Sequence, residues 1–172
     1  MRIQTIKSRK PEDKHESNSL FETNGDFVYP NILTFECIKC GICCGDTNTK
    51  KRHILALKHE VEKIAYVTHK NISEFCQATN NHSPYEYELK KKDGKCIFLK
   101  QNSCTIYSSR PLICHFFPFR LQPSINSKHR FDYTPECPGI GIGKKIGLDY
   151  FRRLFRLARA RLELVDGSVS TC

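Results

Sequence analysis

Apolar residues recur at the helical period in two stretches of this 172-residue chain. Leu57, Val61, Ile64, Ala65 and Thr68 predict an amphipathic helix over residues 57–69, with a short piece around Ile72–Cys76 continuing it. Leu148, Phe151, Leu154, Phe155, Ala158, Leu162 and Val165 share one face of a second helix. Arg152, Arg153, Arg156 and Arg159 occupy the adjoining face, and Asp166-Gly167 predicts the stop. Between the helices, Tyr85–Lys90 and Cys96–Lys100 are β-prone and flank Lys92-Asp93-Gly94, a turn signal that predicts a β-hairpin. Arg110-Pro111 opens a short helix, because proline in the first turn gives up no needed donor, and Phe116-Phe117-Pro118-Phe119 ends it. Ser124–Cys137 reads as a loop and a strand, and Pro138–Gly143 as a flexible glycine-rich stretch. Residues 1–26 are polar, of mixed charge and poor in apolar anchors, so they read as a tail that cannot offset its own ordering entropy. Residues 27–172 are left as one domain.

Composition narrows the class. No apolar run approaches the roughly 18 residues of a membrane-spanning helix, and there is no tryptophan for an interfacial belt. The first twenty residues lack the apolar centre of a secretory signal, which points to a cytoplasmic protein. In a reducing compartment the ten cysteines are expected as thiols, and closely spaced thiols point to metal or redox chemistry rather than to disulfides. The net charge is +10, and residues 1–44 balance their charges, so the basic excess lies in the body and the last third of the chain.

The cysteines carry the chemistry. Cys37, Cys40 and Cys43 have the C-x-x-C-x-x-C spacing of bacterial-type ferredoxins, in which each turn brings another thiolate to the same side of a loop. Gly41 relaxes that turn, and Cys137-Pro138 is a distal candidate for the fourth ligand. Cys44 breaks the ferredoxin pattern and raises a second site. Four thiolates suit iron or zinc alike. The absence of a paired two-knuckle arrangement, and the unequal spacings of Cys96, Cys104 and Cys114, favour iron–sulfur over zinc. Either centre carries a local charge of about −2, which Arg110 and Lys39 are placed to offset.

Four motifs follow in order: Cys37-Ile-Lys-Cys40-Gly-Ile-Cys43-Cys44; Asp93-Gly94-Lys95-Cys96-Ile97-Phe98-Leu99; Cys104 to Tyr107 with Arg110-Pro111 and Cys114-His115 to Phe119; and Cys137-Pro138-Gly139-Ile140-Gly141. Over residues 37–141 the chain resembles the YkgJ-type C-x-x-C-x-x-C-C cysteine-cluster proteins, whose relatives include flagellin N-methylase. The resemblance implies a bound metal, iron–sulfur or zinc, on Cys37, Cys40, Cys43, Cys44, Cys96, Cys104, Cys114 and Cys137. It also raises protein-lysine methylation with S-adenosylmethionine as donor. No strand-turn-helix glycine fingerprint supports that cofactor, since Gly139, Gly141 and Gly143 follow a Cys-Pro pair. His115 stands where the family usually has arginine, so an anion pairing there would depend on pH.

Beside these readings stand plainer ones. Cys76, next to Phe75, is expected in the core, and Cys172 as a free terminal thiol. His53, His59 and His69 are expected in solvent, with no H-E-x-x-H pair among them. Tyr107 either packs or gives a hydrogen bond to a sulfur. The arginine face of the last helix reads as a solvated surface, with an acidic partner or a nucleic-acid backbone as rivals. The fold expected is a small, irregular, metal-stapled α+β domain with a β-hairpin and amphipathic helices, losing much of its structure without metal. The function expected is iron–sulfur binding for electron transfer or for modification of a protein partner. The alternatives are a cluster-containing protein-lysine methylase, and a zinc-dependent nucleic-acid module whose binding would be steeply salt-dependent.

Overall fold

The computed structural model describes residues 20–125 and 128–162. In chain order its strands begin with β1 (Phe21–Asn24), β2 (Phe27–Pro30), β3 (Thr34–Phe35) and β4 (Leu55–Ala56), before helices α1 (Lys58–Thr68) and α2 (Ile72–Phe75). There follow β5 (Cys76–His82), β6 (Tyr85–Leu89), β7 (Lys91–Lys92), β8 (Lys95–Cys96), β9 (Leu99–Lys100) and β10 (Ser103–Cys104). The chain closes with α3 (Leu112–Phe116), β11 (Phe119–Ile125), β12 (Lys128–Tyr133), β13 (Ile140–Lys145) and α4 (Leu148–Leu162). The architecture is the α+β class expected, a small domain of short helices and several small sheets.

Two cores organise it. The first lies between α4 and a four-stranded sheet of order β1-β2-β12-β11. Phe151, Leu154, Phe155 and Ala158 bury the apolar face of α4. The Phe151 ring meets Phe131 at 5.0 Å between centroids, and the Phe155 ring meets Phe27 at 5.0 Å. β2 runs parallel to β12, with His129 opposite Phe27. That pairing recruits β1, so Phe21–Asn24 is a strand within the stretch expected as tail. β1 pairs with the adjacent β2, whose other partner, β12, comes from about a hundred residues downstream, which local composition cannot reveal. Residues 1–19 of the expected tail, and Val165 with the Asp166-Gly167 stop, lie outside the described residues.

The second core lies between α1 and a sheet of order β4-β6-β5. It buries Ile54, Val61, Ile64, Phe75, Leu89 and Phe98. The Asp93-Gly94 turn forms as expected, with φ of 52° and 72°. Its ladder stops after Lys91 opposite Cys96 and Lys92 opposite Lys95. Tyr85–Leu89 pairs instead with β5 and β4, because Phe98 turns inward to meet Phe75 at 5.5 Å and carries its segment into the core. The stretch expected to be flexible around Pro138–Gly143 also differs: Ile140–Lys145 pairs with Thr34–Phe35. A Cβ on Gly139 would lie 2.2 Å from the Glu36 carbonyl oxygen, so this glycine admits close backbone approach.

Glu60 joins the cores. It is 4% exposed, accepts hydrogen bonds from the Leu57 and Leu112 backbone N–H groups at 3.0 and 2.8 Å, and pairs with Arg161 of α4 at 2.7 Å. A buried carboxylate is stable only when satisfied in this way.

Candidate metal centre

The loop that carries the first cysteines is tied at both ends. Glu36 N–H donates to the Gly139 carbonyl at 3.1 Å, which sets Cys37 beside the Cys137 segment. Asp46 N–H donates to the Gly94 carbonyl at 2.8 Å, and Gly45 bridges to Lys95, which sets Cys44 beside Cys96. Between these anchors Gly41 takes a left-handed φ of 75° and opens a short 3₁₀ turn, Ile42–Cys44. Cys37 and Cys40 stay exposed, while Cys43 and Cys44 are half-buried with sulfurs 3.5 Å apart.

The other thiols come from separate elements. Cys96 ends β8 and is buried, Cys104 lies on β10 opposite Leu99, and Cys114 lies on α3. Cys44, Cys96, Cys104 and Cys114 all pack against the second core, around Phe98 and Ile106. Cys137 is buried on the other side of the loop.

The electrostatics join the two groups through Cys43. Burial pushes the Cys137 thiol up, and Cys40, Cys37 and Cys43 add to the shift. Burial holds Cys114 well above the ordinary thiol range, with Cys96, Cys43 and Cys104 as further causes. Cys96 rises to about 11, mainly by burial and then through Cys104 and Cys43. Cys43 itself is raised by its contact with the Cys44 thiol, by burial and by the Cys44 charge. The thiols thus fall into an outer set, Cys37, Cys40 and Cys137, and an inner set, Cys96, Cys104 and Cys114, with Cys43 an electrostatic neighbour of both and Cys44 in contact with Cys43 and packed against the second core. Among the described residues no group of three or more Cys, His, Asp or Glu is placed to hold a metal ion. The donors nevertheless fit a soft or borderline metal in kind: they are all sulfur, and burial makes Cys43, Cys96, Cys104, Cys114 and Cys137 costly to ionise without a cation nearby.

The groups expected around the thiols are placed as follows. Arg110 lowers Cys104 and Cys114 by its charge, and its guanidinium lies 3.8 Å over the Tyr107 ring while donating to the Tyr107 carbonyl. Tyr107 is 60% exposed, and no hydrogen bond from its hydroxyl to a sulfur is present among the described residues. Lys39 is exposed in the loop. His115 Nε2 is buried without a partner. Burial, then Arg110 and Arg161, pulls the His115 imidazole down to about 4, so it is neutral across the neutral range and is no switch there. Cys76 is buried in the second core beside Phe75, as expected, and Cys172 lies outside the described residues. His53, His59 and His69 are exposed, although His53 Nδ1 lies 2.9 Å from Glu88 Oε1. On the arginine face Arg152 pairs with Asp149 at 2.7 Å, and Arg159 lies 3.9 Å from Asp26. Arg52 was not singled out by sequence: its side chain is 11% exposed and its charge lowers Cys43, yet Lys50-Lys51-Arg52 reads as a solvated basic run.

The family model CxxCxxCC, described as "Putative zinc- or iron-chelating domain", matches residues 36–138. The chain belongs to this family. The match takes in all eight cysteines of the two sets and ends just after Cys137. Two relatives come from Methanocaldococcus jannaschii. Uncharacterized protein MJ0661 is 33% identical over 132 residues, covering 73% of this chain and 69% of its own length. Uncharacterized protein MJ0939 is 26% identical over 117 residues, covering 65% of this chain and 39% of its own length. No solved structure matches the chain. The family supports a zinc- or iron-binding cysteine domain. Among the described residues no helix is long and apolar enough to cross a membrane.

Proposed function

We propose that this chelating domain holds iron–sulfur clusters of the four-iron type and serves electron transfer or the modification of a protein partner. The observation that supports the reading is that the eight thiols fall into two adjacent groups that meet at Cys43 and Cys44. The outer set combines the C-x-x-C-x-x-C loop with a distal Cys-Pro, the ligand types of bacterial ferredoxins drawn from separate parts of the chain. The inner set would hold a second cluster against the apolar core, where low polarity and few hydrogen-bond donors tune its potential. When bound, such clusters supply one-electron transfer. The protein's own contribution is to space the thiols, to exclude water from the inner set and to offset charge with Arg110 and Arg52. Cys37, Cys40, Ile38 and Tyr107 leave the outer set an exposed edge for a redox partner.

Anaerobic purification followed by metal and sulfide analysis with a visible spectrum tests the reading. A brown protein with about eight iron and eight sulfide per chain is expected for two four-iron clusters. A colourless protein carrying stoichiometric zinc and no sulfide overturns it. Cys114→Ala should lose the inner share of iron and Cys137→Ala the outer share; metal retained in full removes that cysteine from the ligand set.

A further inference from the structure

Arg52 contacts residues of four segments that carry cysteines. Its backbone N–H donates to Asp46 Oδ1 at 2.8 Å, two residues beyond Cys44. The Arg52 carbonyl accepts a hydrogen bond from Lys91 Nζ at 2.8 Å, and Lys91 stands opposite Cys96 in the β7–β8 ladder. Its guanidinium carbon lies 4.8 Å from the centroid of Phe117, three residues beyond Cys114. Its terminal NH2 donates to Glu136 Oε2 at 2.5 Å, and Glu136 immediately precedes Cys137. Four segments distant in sequence, which supply cysteines to both sets, therefore converge on one residue, two of them on its backbone and two, those of Phe117 and Glu136, on its side chain.

The same side chain has an unused donor. Arg52 Nε is buried and has no hydrogen-bond partner among the described residues. A buried N–H left unsatisfied is costly, more so on a charged group, so it persists only where the surroundings impose it. The neighbouring groups of opposite charge, Glu136 and Asp46, are already engaged by the terminal nitrogen and by the Arg52 backbone. Once the thiols ionise on a metal, their sulfurs become anionic acceptors in a site already holding a guanidinium. Outer hydrogen bonds of this kind orient ligands and set the properties of the bound metal.

We propose that Arg52 is a positioning residue of the metal centre, holding the four cysteine segments in register and giving its Nε–H to a thiolate sulfur where the two sets meet, that of Cys43. This rests on the reading that the cysteines hold metal. The roles are separable in substitution. Arg52→Lys keeps a cation but loses the planar fork and the Nε donor, whereas Arg52→Gln loses the charge as well. Glu136→Gln, at a side chain 37% exposed, loosens the anchor without entering either core.

Metal affinity, read by competition with a chromophoric chelator in the full chain, should fall about tenfold in Arg52→Lys and up to about a hundredfold in Arg52→Gln, with a smaller loss in Glu136→Gln. On iron-loaded protein the reduction potential should move to more negative values in Arg52→Gln, because removing a positive charge and a donor disfavours the added electron. A purely structural role would lower the melting temperature and leave affinity and potential of the folded variants unchanged. That result overturns the proposal while the metal-binding reading stands. If Arg52→Gln does not fold, Arg52→Lys and Glu136→Gln carry the test, and wild-type affinity in both overturns it. A wild-type protein that takes up neither iron nor zinc overturns both readings together.

Discussion

The two cores of this protein are built from opposite materials. Around Phe151, Phe131 and Phe27 the interior is aromatic, with ring centroids 5.0–5.3 Å apart in packing that is complete in itself. Around Phe75, Phe98 and Ile106 the interior is mainly aliphatic with thiols let into it, Cys76 and Cys96 inside and Cys44, Cys104 and Cys114 packed against it. Thiols pack as small hydrophobes, but here each of the last three has another thiol as an electrostatic neighbour or in contact, and burial raises the cost of ionising Cys104 and Cys114. One core is finished by dispersion and the hydrophobic effect. The other adds thiols that are costly to ionise where they stand.

Metal removal should break that symmetry most sharply. Chelation should cost the cysteine region several kcal/mol or more, since binding free energy is folding free energy where no finished site exists beforehand. Hydrogen exchange should then show α1 and β6 losing protection while β12 and α4 keep theirs; equal loss in both would show the cores to be one cooperative unit. Next in size, Phe151→Ala should destabilise by about 3–5 kcal/mol in denaturant titrations and leave the metal content of the folded fraction unchanged. Glu60→Ala should cost about 3 kcal/mol, because it strands Arg161 and two backbone donors. Since Glu60 joins the cores, that variant should also split the unfolding of the metal-loaded protein into two resolved steps.

A smaller effect concerns pH. The His115 imidazole falls from 6.5 in the unfolded chain to about 4 in the fold, chiefly by burial. Protonation therefore favours the unfolded state, and the contribution is fully present above about pH 6.5 and lost as pH falls towards about 4. In the metal-free protein His115→Gln should flatten the dependence of the urea midpoint on pH in that window; an unchanged slope would show the imidazole to be solvated. Smallest of all, Arg152→Ala breaks an ion pair with an Asp149 that is 85% exposed, and should shift stability by less than about 0.5 kcal/mol.

Much of the first core was legible. The stripe from Leu148 to Leu162 announces a helix and its buried face, because the helical period repeats inside a single element. The sheet that receives it was not legible, since β2 and β12 pair across about a hundred residues and neither carries a mark of the other. In the second core the cysteines announced their chemistry and the helices α1 and α2 form where expected, but the expected hairpin does not extend beyond its turn. Asp93-Gly94 forms its turn, but a two-residue ladder suffices there because Phe98 gains more by burial than by pairing on.

The sequence by itself determined the short-range facts, namely helices by their period, turns by Asp-Gly and Pro, and sulfur chemistry by cysteine spacing, because each is a property of neighbours along the chain. Only the tertiary structure decided that Cys137 lies beside Cys37, that Cys44 turns towards Cys96, and that Arg52 stands among them. Those placements rest on backbone hydrogen bonds and side-chain contacts between distant segments, such as Glu36 to Gly139 and Asp46 to Gly94. The strength of such contacts depends on distance in space, and nothing in the local pattern of residues encodes it.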